Sequence, residues 1–349
     1  MTYLEEALRS ELPVANLYSQ LGYFTRFHLN IYPTETTMQL SDIDVFAIRF
    51  DSSLMSEITI VEVKEESNKF SDLFKLYGFK SYYGDCRAIF VTKKVHPRII
   101  PVAKKLDINL ISFNKLKELA EKGTFVKAVI LSPKDGMKIF ENLLKIKDHN
   151  KRLYWEYNYL WLEKDPFRRF YQQQKLFKES LEYLNSESYD DPFSWFRREL
   201  FILGFISLVE ITSNCITIED EILGRYIETK FMNIDMPADT KMKVKEGVET
   251  LIQKLKELGM KIDTEEIEIL PKYLPNLEKL IKIFTNSSSY VQYYININEN
   301  ICRLLLQDKP TRISEIAGKE TYKYIHNVND LVLRILHSGP INYDFEWFI

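Results

Sequence analysis

Cysteine is scarce in this chain, and its three copies, Cys86, Cys215 and Cys302, are odd in number and far apart. That spacing excludes a disulfide framework, speaks against a zinc site with clustered ligands, and points to a reducing, cytoplasmic compartment. Long apolar runs are lacking too. No segment offers the roughly 20 apolar residues needed to cross a bilayer, and the opening MTYLEEALRSEL carries adjacent glutamates instead of an apolar leader. The expectation is a protein with no membrane partner. An excess of basic charge is the third absence. The net charge is −3, and residues 1–123 carry 16 basic and 16 acidic side chains. Any nucleic-acid contact must then use a local patch. His96, His149, His326 and His337 form no spacing that suggests metal ligation. His28, expected in a strand on the same face as Arg26, is read as a surface or satisfied core residue.

The chain is rich in apolar side chains. At 349 residues, with 45% hydrophobic and 13% aromatic content, it has material for two cores. Helical spacing covers about residues 4–20, with Pro13 best accommodated near a first turn and Gly22 closing the helix. Strand-like alternation follows at 23–31, 42–50 and 57–64, with DSSLMS as the turn of a hairpin. A helix over 69–83 ends at Gly84, and strands at 86–92 and 108–112 alternate with helices at 97–106 and 115–122. This order predicts an α/β unit over residues 1–125, a mixed sheet flanked by helices. Beyond it, residues 126–349 show long helical stretches and scarce strand patterns, which predicts an all-α C-terminal domain. The boundary is placed between Gly123 and Pro133, and a polar break at 185–192 marks a possible further division.

Strand parity places chemistry at one spot. In ITIVEVK, Ile58, Ile60, Glu62 and Lys64 share one face, so a carboxylate and an ammonium emerge from an apolar wall. Asp44 shares a face with Phe46 and Ile48 on the preceding strand, and the hairpin brings it beside Glu62. Buried charges of this kind are costly unless paired or bound to a metal. Carboxylates are the ligands a hard cation such as Mg²⁺ prefers. Lys64 is then a positioned donor, or a lysine of lowered pKa, for a scissile phosphate. The plainer alternative is a cross-strand salt bridge worth about 0–1 kcal/mol. Asp42, Glu65 and Glu66 are read as solvated charges flanking the site.

Asp44 followed by Glu62-Val63-Lys64 resembles the signature of the PD-(D/E)XK, or restriction-endonuclease-like, nucleases. Within that superfamily the pattern is similar to archaeal Holliday-junction resolvases and Mrr-type endonucleases, since Glu11 precedes Gly22-Tyr23 and Arg26. The resemblance covers about residues 1–115. It implies a restriction-endonuclease-like mixed sheet and Mg²⁺-dependent hydrolysis of phosphodiesters, with Mn²⁺ as a substitute. It also implies Asp44, Glu62, Lys64 and Glu11 as catalytic residues. The metal would be held by Asp44, Glu62, the Val63 carbonyl and Glu11. Where some subfamilies have a glutamine in the next helix, Lys69, Tyr77 and Lys80 are the candidates here. DNA is the expected partner ahead of RNA, through Lys69, Lys80, Arg26, Lys151, Arg152, Arg168 and Arg169. Aromatic residues interleave with the basic ones over 151–175, as in a strand binder or, more often, a helical core. The helical half would supply a homodimer contact or bind a protein partner. A catalytically silent or partner-gated protein of the same fold, serving as a binding module, is the rival expectation.

Overall fold

The alternating segments fold as strands and the 3.6-residue patterns as helices, in the expected order. The computed structural model describes residues 3–32, 39, 41–65, 69–122, 128–183, 192–232, 234, 238–259, 273–309, 313–317 and 319–337. The first part of the inferred boundary region, residues 123–127, and nearly all of the polar break at 185–192 lie outside the described residues. The α/β part comprises α1 (Tyr3–Gln20), β1 (Phe24–Ile31), β2 (Ser41–Phe50), β3 (Ser56–Lys64), α2 (Phe70–Tyr83) and β4 (Arg87–Thr92). A 3-10 turn (Pro97–Ile99), α3 (Ile100–Lys105), β5 (Asn109–Ser112) and α4 (Phe113–Lys122) complete it. The rest is helical among the described residues: α5 (Pro133–His149), α6 (Lys151–Leu160), α7 (Pro166–Leu181), α8 (Pro192–Cys215), α9 (Asp220–Met232), α10 (Ala238–Glu257), α11 (Leu274–Asn286), α12 (Ser288–Leu306), α13 (Ile313–Ile316) and α14 (Lys319–His337).

The five strands lie in the order β1-β2-β3-β4-β5. The first three form an antiparallel meander, and β3, β4 and β5 run parallel through helical crossovers. The sheet is therefore mixed. Pro13 sits in the middle of α1, away from the first turn where it was expected. The lost N–H and ring clash oppose a helix there. Burial of Leu8, Leu12, Val14, Ala15 and Tyr18 outweighs that cost. Gly22, at φ 86°, then takes the left-handed turn that ends α1.

The apolar core runs without a break from the sheet into the helices. Phe24 stacks on Trp161 at 5.9 Å, and Phe46 meets the same indole edge-on. Arg26 anchors a buried ionic cluster at this junction. Its guanidinium donates to both oxygens of Glu199 in α8 and, at 2.8 Å, to Glu299 in α12. Arg303 donates to the same Glu299 at 2.8 Å and to Ser19 and Thr25 at 2.6 and 2.8 Å. The Tyr157 hydroxyl completes Glu199 at 2.9 Å. Arginine suits this role because its planar fork spreads several donors at fixed angles.

Candidate functional site

The β2–β3 ladder ends at Val45 opposite Val61, while β3 stays paired with β4 as far as Lys64 opposite Thr92. The two strands part where the acidic residues stand. There the Val63 N–H donates to Asp44 Oδ2 at 2.7 Å, replacing a ladder bond by a side-chain bond. The expectation for Val63 concerned its carbonyl; the bond described at this residue is through its N–H.

Lys64 Nζ lies 2.7 Å from Glu62 Oε1 and 3.5 Å from Asp44 Oδ2. Lys75, on α2, approaches from the other side. Its Nζ is 3.0 Å from Glu62 Oε2, 3.5 Å from Asp44 Oδ1 and 3.4 Å from Asp42 Oδ1. Asp44 thus turns one oxygen to each lysine, while Glu62 meets Lys64 with Oε1 and Lys75 with both oxygens. Asp44 and Glu62 are only 2% exposed. Burial raises the Glu62 carboxyl to about 7, with the neighbouring Asp44 charge adding to the rise against both lysines. Burial raises Asp44 as well. Lys64 and Lys75 move the opposite way from the lowered pKa considered for Lys64. Burial alone would lower both, but the surrounding carboxylates hold them above the usual lysine range. Both are therefore fixed ammonium donors.

Glu11, on the inner face of α1, is buried and lies 3.2 Å from His28 Nδ1. Burial raises its carboxyl to about 7, against the opposing bond from His28. One ligand atom from each of Glu11, His28 and Asp42 falls within 4.8 Å of the others. His28 does not share the surroundings of Arg26, as parity had predicted. Its φ of 54° breaks the strand alternation, so Arg26 reaches α8 and α12 while His28 reaches α1 and the Phe140 ring. Asp42 is likewise corrected: it is buried beside Lys75 and is not a solvated flank.

The residues expected to touch nucleic acid divide. Lys69 and Lys151 are exposed. Arg152 pairs with Glu179, Arg168 lies near Glu163, and Lys80 is held by Asp107. Arg26 and Arg169 are in the interior, paired with Glu199, Glu299 and Glu210. Arg26 is committed to buried carboxylates and Arg169 to the partly buried Glu210, so neither guanidinium stands as an open surface contact. Tyr154, Tyr157 and Trp161 belong to the core. In α2, Lys75 takes the position that Lys69, Tyr77 and Lys80 were expected to contest.

The donor set of Asp42, Asp44 and Glu62 is all oxygen, while the ligand atoms gathered closely enough among the described residues to hold an ion are those of Glu11, His28 and Asp42. The Lys75 ammonium rests 3.0–3.5 Å from three carboxylate oxygens, of Asp42, Asp44 and Glu62. Carboxylate oxygens are the donor type a hard cation such as Mg²⁺ prefers. No helix among the described residues is long and apolar enough to cross a membrane. Comparison with family models, curated proteins and solved structures finds no match to this chain.

Proposed function

We propose that the chain is a metal-dependent phosphodiesterase of the PD-(D/E)XK type, acting on nucleic acid and on DNA ahead of RNA. The observation that carries this reading is the convergence of Asp44, Glu62 and Lys64 at the point where β2 and β3 part. When bound, a divalent cation would acidify a water and offset charge on the phosphate. Asp44 and Glu62 hold it. Lys64 donates to a phosphate oxygen as a permanent cation. The exposed rings of Phe70, Phe74 and Tyr77, one to two turns apart on α2, offer stacking surfaces on the helix that carries Lys75. A local aromatic face of this kind suits a protein without a basic surplus.

The test is Mg²⁺- or Mn²⁺-dependent cleavage of single-stranded, duplex and branched DNA and RNA. Glu62→Ala and Lys64→Ala should each lower the rate at least about 10²-fold, the scale for losing one transition-state donor, while both remain folded. Cleavage retained in either variant would sink the assignment.

One observation favours a partner-gated protein as the second reading. Lys75 stands where the carboxylates would receive a cation, so uptake requires its displacement. In that reading the native protein is silent, and Lys75→Gln takes up Mg²⁺ more tightly than the native protein does.

A further inference from the structure

Four carboxylates, Glu11, Asp42, Asp44 and Glu62, lie around two ammonium groups, Lys64 and Lys75. The ammonium groups are not evenly shared. Asp44 and Glu62 each face both lysines. Glu11 faces His28. Glu11 and Asp42 stand together on the α1 side of the cluster. An imidazole is found on that same side, buried with Glu11 and Asp42, and one ligand atom from each of the three is within 4.8 Å of the others.

We infer that Glu11, His28 and Asp42 form a second metal site, one with a nitrogen donor, which takes a first-row transition cation such as Mn²⁺ in preference to Mg²⁺. Metal–ligand bonds of about 2.0–2.2 Å put neighbouring ligand atoms roughly 3–3.5 Å apart. Glu11 Oε2 and His28 Nδ1 are already at 3.2 Å. Only a small inward movement of Asp42 is then required. Imidazole favours the transition ions, whereas Mg²⁺ and Ca²⁺ prefer oxygen donors throughout. The Asp44–Glu62 pair offers oxygen alone, so the two positions differ in the ion they select. Asp42 joins them: it belongs to the histidine set and also contacts Lys75. The inference concerns metal binding and does not rest on hydrolysis being the activity.

The experiment uses full-length, untagged protein with Mn²⁺ and no nucleic acid. Electron spin-echo spectroscopy reads ¹⁴N coupling to the bound ion, and titration reads its affinity. Native protein should show ¹⁴N modulation. His28→Gln should abolish it and weaken that site more than about tenfold, the lower end of the loss that even an outer-shell partner causes. Asp42→Asn, which keeps the imidazole, should weaken the site while leaving the modulation in the fraction bound. Circular dichroism and thermal unfolding check that both variants fold. Absence of ¹⁴N modulation in native protein, or its persistence in folded His28→Gln, would overturn the inference. Native protein that shows the modulation but cuts nothing would count against the proposed function alone. Cleavage without the modulation would count against the second site alone.

Discussion

Two ionic clusters buried among the described residues are built to opposite ends. Around Arg26 and Arg303, guanidinium forks meet Glu199 and Glu299 with several donors each, and hydroxyls fill the remaining positions. Burial opposes ionisation of Glu299, yet the arginines hold its carboxyl below the usual range. Around Asp44 and Glu62 the cations are lysines, point charges that leave acceptor capacity unused. There burial wins, and Glu62 rises to about 7. The first cluster is finished by the protein itself. In the second, burial outweighs the two lysines at Glu62, the kind of perturbed group that marks a candidate site.

The sharpest way to break this contrast is to remove a cation from the finished cluster. Arg26→Met should cost about 3–5 kcal/mol, the scale for stranding a buried charge, measured by urea unfolding. A loss below about 1 kcal/mol would show that the cluster is not closed as described. Next in size is the effect of metal. A divalent cation at a hundred times its Kd should stabilise the native protein by about 2.7 kcal/mol, and Asp44→Asn should cancel most of that gain in thermal unfolding. Third, Glu62→Gln should stabilise the metal-free protein at pH 8 by on the order of 2 kcal/mol, although it removes a ligand. The sign follows from the raised carboxyl. Because Glu62 titrates near 7 when folded and near 4.5 when unfolded, the folded state binds more protons between those values. Native stability should therefore fall as pH rises from about 4.5 to 7, and the fall should flatten in Glu62→Gln. An unchanged slope would place the proton elsewhere. The smallest effect is expected at the exposed Arg9–Glu65 pair, 3.0 Å apart, where Arg9→Ala should shift stability by no more than about 1 kcal/mol.

Much of the sheet was legible because strand parity and turn residues are local. The hairpin, the closing glycine at Gly84 and the pairing of Asp44 with Glu62 all follow from spacing along the chain. Three features were not legible, each for a physical reason. Lys75 reaches the site because of how α2 is rotated on β3 and β4, which no pattern within the helix records. His28 escapes parity because one left-handed residue exchanges the faces of a strand, and histidine carries no local sign that it will adopt φ 54°. Arg26 looked like a surface contact because its partners lie 173 and 273 residues away. Pro13 fails in the other direction: its local rule is sound, and tertiary burial overrides it.

The long reach of Arg26 also sets an order of events during synthesis. At a translation rate of about 5–20 residues per second, roughly 15–55 s pass between the appearance of Arg26 and that of Glu299. Through that interval β1 has its own helix and its hairpin partner but not its second counter-ion. The nascent sheet carries an uncompensated guanidinium at its edge until Glu199 arrives with α8, and one short of its second counter-ion, exposed to capture by acidic surfaces or chaperones, until α12 arrives. An N-terminal fragment ending before α12 would carry the same defect permanently, so the sheet with its candidate site is secured only when nearly the whole chain has been made.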